Sequence, residues 1–225
     1  MIFSGFLRDP TGFGAAGSVR VMPSAALRLM PSLAAFLLLA VMLSGCALFG
    51  KTPDPKDTYE LRTPAVSSAG VGGTRAQLLV KLPTALKALN SDRMILRPTA
   101  SSITYLSGTQ WSDTLPRMLQ AKWVAAFENT ASTGATAKPG DGLVIDYQLV
   151  IDIRRFEIDQ TGAETARLEV SVKLLTDSNG KVLRTRVFKA SAPVRGTENA
   201  DYVAGFNDAF STLTRDVVRW VLRLV

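Results

Sequence analysis

One thiol and no imidazole define the chemistry open to this chain: Cys46 is its only cysteine, and its 225 residues include no histidine. A Ser-His-Asp or Cys-His nucleophile, a histidine general base and a Cys/His zinc site are all excluded within it. A disulfide needs a second cysteine, so none can form internally. The carboxylates do not make up the deficit. Asp146 and Asp152 share a face of one alternating segment but lie about 20 Å apart along it, too far for paired-carboxylate catalysis, and they are read as solvated-face residues. Arg154 and Arg155 could meet anionic lipid headgroups, although a solvated bulge is the simpler assignment. The expectation is a non-enzyme with no cofactor and no metal.

Two glycine patterns offer nucleotide chemistry and fail on local structure. Gly45, Gly50, Lys51 and Thr52 satisfy the P-loop spacing literally. A P-loop works because its Lys and Thr open a helix whose amides face the phosphates. Here Pro53 and Pro55 follow at once and forbid that helix. Gly12, Gly14 and Gly17 match a dinucleotide fingerprint but follow Asp9-Pro10-Thr11 instead of an apolar strand. No nucleotide is expected.

What remains is the thiol itself. Leu33 to Leu43 is an unbroken apolar run of 11 residues, with Arg20 and Arg28 ahead of it. A spanning helix needs about 20 such residues, and a signal-peptide core needs roughly 7–15. Leu43-Ser44-Gly45-Cys46 follows directly, and this resembles the lipobox of bacterial lipoproteins. The resemblance implies cleavage between Gly45 and Cys46, a thioether-linked diacylglycerol on Cys46, and acylation of the new amino terminus, with palmitate as a typical chain. The alternative is an anchor helix that happens to hold a cysteine; Pro31, Ser44 and Gly45 weaken it as a span. Position 47 is Ala, not the Asp that resembles an inner-membrane retention signal, so the outer membrane is expected. Met22 would start a signal of conventional length. Removing residues 1–45 takes away Arg8, Asp9, Arg20 and Arg28 and brings the net charge from +7 to +5. That charge suits proximity to anionic lipid, and export argues against a nucleic-acid partner.

The elements behind this leader follow from periodicity. Residues 46–75 read as lipidated terminus, tether and linker, and residues 76–225 as one domain. Gln77–Leu82, Met94–Arg97 and Ile103–Leu106 carry strand signals. A helix opens at Trp111–Pro116, with Leu115, Leu119, Trp123 and Phe127 on one side. Thr130 to Gly142 reads as loop. From Leu143 to Ile153 every second residue is apolar, and the phase flips at Arg154-Arg155, which predicts a β-bulge. Ala166 to Leu174 and Lys181 to Ala192 are the next strands, joined by a turn at Asp177–Gly180. Val203, Phe206, Phe210, Leu213, Val217, Trp220 and Leu224 step by three and four along a C-terminal helix that starts near Asn199. That stripe predicts a helix covering its own sheet; a seam for a partner helix is the other possibility. The expected fold class is α+β, an antiparallel sheet with two main helices packed on one face, in βββα-βββα order.

This order of parts, with Tyr59-Glu60-Leu61 near the mature start, Asp92 to Arg97, and Trp111 opening a Leu-rich helix, resembles the ABC-type transport auxiliary lipoproteins, which are similar to the paraquat-inducible protein C group. The resemblance covers most of residues 46–225. It implies an outer-membrane lipoprotein facing the periplasm, a non-catalytic part of an intermembrane lipid transport system with an MCE-domain protein and an ABC permease and ATPase as partners. The 130–142 segment matches little of the family. The competing class is an outer-membrane assembly factor of the lipopolysaccharide-transport or barrel-assembly type. Cys46-Ala47-Leu48 counts against the first of these, whose lipoprotein resembles a Cys-Gly-Phe beginning.

Overall fold

The longest alternating segment becomes the spine of the molecule. In the computed structural model, which describes residues 55–67, 73–130 and 133–225, strand β8 runs Tyr147–Asp159. Leu149, Ile151 and Ile153 are buried in alternation with Val150, Asp152 and Arg154. The register against β9 (Thr165–Thr176) shifts between Ile153 and Arg155. This is the predicted bulge, and its consequence is that Phe156 and Ile158 return to the buried face while Glu157 and Asp159 point the other way. β10 (Val182–Pro193) completes an antiparallel meander. Its turn is tightened by Gly180 at φ 66° and by Thr176 Oγ1 and the Lys181 N–H, which both donate to Asn179 Oδ1. Leu143 to Asp146 stay outside the strand, and Asp146 instead accepts the Gln77 N–H.

The other edge of β8 departs from the predicted antiparallel sheet. β2 (Gln77–Val80), β3 (Thr84–Ala85) and β4 (Ile95–Thr99) lie along it in turn, all parallel to it. β5 (Ser102–Tyr105) returns antiparallel on β4, and β7 (Ala135–Ala137) pairs parallel with β2. The sheet is therefore mixed and curled. Hairpin turns can only give antiparallel neighbours, but the chain from β4 to β8 passes through a helix long enough to bring it back in the same direction. Pro83 stops β2, and Pro98, which cannot donate, accompanies the register shift of β4 on β5.

The predicted βββα-βββα order needs a second correction. β1 (Asp57–Tyr59) and β6 (Thr109–Trp111) form a separate parallel pair, and β7 falls inside the expected 130–142 loop. Strands of two or three residues carry no measurable period, so the pattern could not show them. The segment after β1 is also packed: Leu61 is 1% exposed, and the Arg62 N–H donates to Asn207 Oδ1 at 2.8 Å. Part of the expected 46–75 terminus, tether and linker, the stretch around Leu61 and Arg62, is thus held against the fold.

Helix α1 (Leu115–Glu128) has Pro116 in its first turn and buries Leu119, Trp123 and Phe127. Helix α2 (Asn199–Leu222) opens on a reciprocal cap between Glu198 and Asp201. Gly196, at φ 123°, leaves room for that cap, because a Cβ there would meet the Asp201 carboxylate. Phe206, Phe210, Leu213 and Val217 of the stripe are wholly buried. Phe206 stacks on Phe156 at 5.1 Å and meets Trp111 edge-on at 5.4 Å. Phe210 packs on Trp123 at 5.9 Å, and Trp220 meets Phe188 of β10 at 5.5 Å. The stripe is a core of this domain and not a partner seam.

Candidate functional site

The expected cleavage site Gly45–Cys46 with its expected lipidation at Cys46, the P-loop pattern at 45–52 and the glycines at 12–17 lie outside the described residues. The remaining singled-out residues fall on the sheet or, for Asp146, just before its longest strand. Asp146 and Asp152 serve different strands: Asp146 holds the start of β2, and Asp152 Oδ1 accepts from Thr84 Oγ1 of β3 at 3.2 Å. They are not brought together. Arg154 and Arg155, placed by the bulge, enter a lattice of charges on the face of the sheet opposite the aromatic core.

Register builds this lattice. Arg155 lies opposite Glu169, Glu157 opposite Arg167, and Asp159 opposite Thr165. Across the next boundary Arg167 lies opposite Ser191 and Glu169 opposite Lys189. On the other side Arg97 of β4 lies beside Asp159. Arg97 holds Glu157 through two parallel bonds of 2.7 and 2.9 Å, the fork geometry that makes such pairs strong. Arg155 Nε approaches the same carboxylate at 3.3 Å, and the Glu157 side chain is only 3% exposed. Two guanidiniums offset the cost of burying it. The Glu157 hydrogen bond is the main cause that raises the Arg97 pKa, against the opposing pull of burial.

Asp159 is the second buried carboxylate. It accepts from Thr161 Oγ1 at 2.6 Å and Thr161 N at 2.9 Å, and Arg167 Nε lies 3.2 Å away. The Thr161 bonds first, and the charges of Arg167 and Arg155 next, hold its carboxyl below the usual aspartate range although burial pushes the other way. Glu169 pairs with Lys189 at 3.1 Å and with Arg154 at 3.8 Å.

The alternation within Ala166 to Leu174 turns Arg167, Glu169 and Lys173 outward but gives no sign that they interlock with Arg97. The Arg97–Glu157 partnership spans 60 positions and depends on the parallel pairing of β4 with β8. Glu157 and Asp159 were missed as buried groups; the phase flip at the bulge was the one available signal. Within this lattice every carboxylate is engaged by a cation. The arrangement holds and orients its charged side chains through these pairs.

Comparison with known proteins gives the context of this architecture. The family model described as "ABC-type transport auxiliary lipoprotein component" matches residues 59–218. The uncharacterized protein bll6063 of Bradyrhizobium diazoefficiens is 32% identical over 176 residues, which cover 78% of this chain and 47% of that protein. The chain thus spans about half the length of this curated relative. The crystal structure of protein XCC0632 from Xanthomonas campestris superposes with a TM-score of 0.70 at 31% identity, over 74% of this chain and 94% of that one. A further solved structure, of an uncharacterized protein, shares the fold with a TM-score of 0.59 at 13% identity, over 75% and 99% of the two chains. The matched residues run from β1 nearly to the end of α2 and take in both helices and the whole sheet. The chain belongs to the family of ABC-type transport auxiliary lipoprotein components.

Proposed function

We propose that this chain is an outer-membrane lipoprotein, anchored through Cys46 and facing the periplasm, that acts as a non-catalytic adaptor for an MCE-type ABC lipid transport system. The observation that carries the proposal is the family match over residues 59–218, joined to the lipobox-like Leu43–Cys46 just upstream of it. In this scheme residues 1–45 are removed as a signal peptide, and residue 46 carries the lipid. Two or more acyl chains make anchoring effectively stable where one alone is marginal. Between Cys46 and the start of β1 at Asp57 the chain can reach at most about 40 Å. The anchor therefore keeps the domain close to the membrane and raises the effective concentration of any weak contact with the transport machine.

Mild crosslinking in cells, followed by purification of the lipoprotein, tests this. Recovery of an MCE-domain protein together with an ABC permease or ATPase is the expected result. Deletion of the gene should raise sensitivity to detergents, and a version released into the periplasm should complement only in part. Recovery of a barrel-assembly or lipopolysaccharide-export protein with no MCE protein would overturn the proposal in favour of an assembly factor.

A further inference from the structure

The charge lattice borders a cleft of about 620 Å³, with Arg155, Thr165, Arg167, Glu169, Lys189 and Ser191 of the β8–β9–β10 meander and Thr212 of α2 in its lining. We propose that this cleft binds a phosphate group. Three cations and one carboxylate among these residues give it a net charge of +2, which suits an anion of one or two charges. The cations are close together. Arg155 and Lys189 occupy one row across three strands, with Arg167 in the adjacent row. Neighbouring strands are about 4.8 Å apart, so the three side chains rise from backbone positions within roughly 10 Å. That spacing fits one compact anionic group better than an extended acidic peptide.

The two guanidiniums are held before any ligand arrives. Glu157 and Asp159, at 3% and 8% exposure, grip Arg155 and Arg167 through Nε at 3.3 and 3.2 Å. These carboxylates are not in the lining; they act from behind. Arg155 and Arg167 are themselves 40% and 50% exposed, so their terminal amino groups remain open to a ligand. A planar fork fixed in this way loses little freedom on binding, and its paired N–H groups match phosphate oxygens. Ser191 offers a hydroxyl donor. Thr165 Oγ1 already donates to the Ala163 carbonyl at 2.9 Å, so its role is limited to shaping the wall. Glu169 opposes the anion, and Lys189 and Arg154 offset it.

The inference does not rest on the transport proposal, and failure of either leaves the other standing. Calorimetric titration of the full chain in a non-ionic detergent tests it with three probes: inorganic phosphate, dihexanoyl phosphatidylglycerol below its micellar concentration, and hexaglutamate. Saturable binding of one of the first two is expected, weakened at least tenfold in Arg167→Gln and severalfold in Lys189→Gln. Glu169→Gln should bind more tightly than the wild type, because it removes the opposing charge. Lys189 is 72% exposed, so its substitution reports on the cleft even if Arg167→Gln fails to fold. Tighter binding of the phosphatidylglycerol marks the source as a lipid headgroup; equal binding marks the phosphate alone. No saturable binding of either phosphate probe, affinity unchanged in Lys189→Gln, or a preference for hexaglutamate would overturn the proposal.

Discussion

The two faces of the β8–β9–β10 meander are held by different physics. On one, Phe156 stacks on Phe206, Trp111 closes over both, and Leu168, Val170 and Val172 are buried beneath α2. Attraction there scales with apolar area and is non-directional. On the other face Glu157 and Asp159 are buried as charges and survive only because specific partners meet them with good geometry. The aromatic face tolerates any partner of suitable size and shape. The charged face demands particular residues at particular register positions, and Arg154, Arg155, Arg167 and Lys189 on it are 40–72% exposed. This is the face that borders the proposed phosphate cleft.

Truncation on the aromatic face should have the largest effect. Phe210 is wholly buried against Trp123, so Phe210→Ala should cost about 3–5 kcal/mol as a large-to-small core change, read from denaturant unfolding of the purified protein. A midpoint near the wild-type value would break the comparison and return the stripe to a partner seam. Glu157→Gln comes next. It leaves Arg97 and Arg155 without their shared carboxylate, but these are 24% and 40% exposed, and water takes up part of the loss. The expected cost is about 1–3 kcal/mol.

Acid should sharpen the contrast further. The Asp159 carboxyl titrates below the usual aspartate range in the folded protein, so the unfolded chain takes up that proton first. The stability it contributes is complete above about pH 4, and it is lost as the pH falls through the folded-state value. Asp159→Asn removes this dependence: it should lower stability at neutral pH and flatten the fall of the thermal midpoint on acidification. The smallest effect belongs to the Lys122–Glu60 pair, which ties the segment after β1 to α1 at 2.6 Å with Glu60 62% exposed. Lys122→Ala should change stability by less than about 1 kcal/mol, as measured by the same unfolding curves.

The same contrast explains what was legible in the sequence. The aromatic face announces itself through period: the alternation of β8, the three-and-four stepping of α2, and the phase flip that marks the bulge all survive in the structure. Burial repeats with the geometry of the element, so the pattern is local. The charged face alternates too, but alternation does not say which charges pair. Its central bond joins Arg97 to Glu157, and that contact exists only because β4 lies parallel to β8. The parallel pairing in turn needs the α1 crossover, which no short window of residues reveals. β1, β3, β6 and β7 are too short to alternate. The proposed lipobox is a different kind of signal: a processing site is read by enzymes as a linear string and needs no fold.

The central claim is that this domain works as a lipid-anchored transport component, and labelling with radioactive palmitate tests it most directly. Wild type and Cys46→Ala should be expressed side by side in the host cell and fractionated by flotation. The expected result is a labelled mature protein in the outer-membrane fraction for the wild type, and an unlabelled, unprocessed precursor for the variant. Palmitate label retained on the Cys46→Ala chain would contradict the claim.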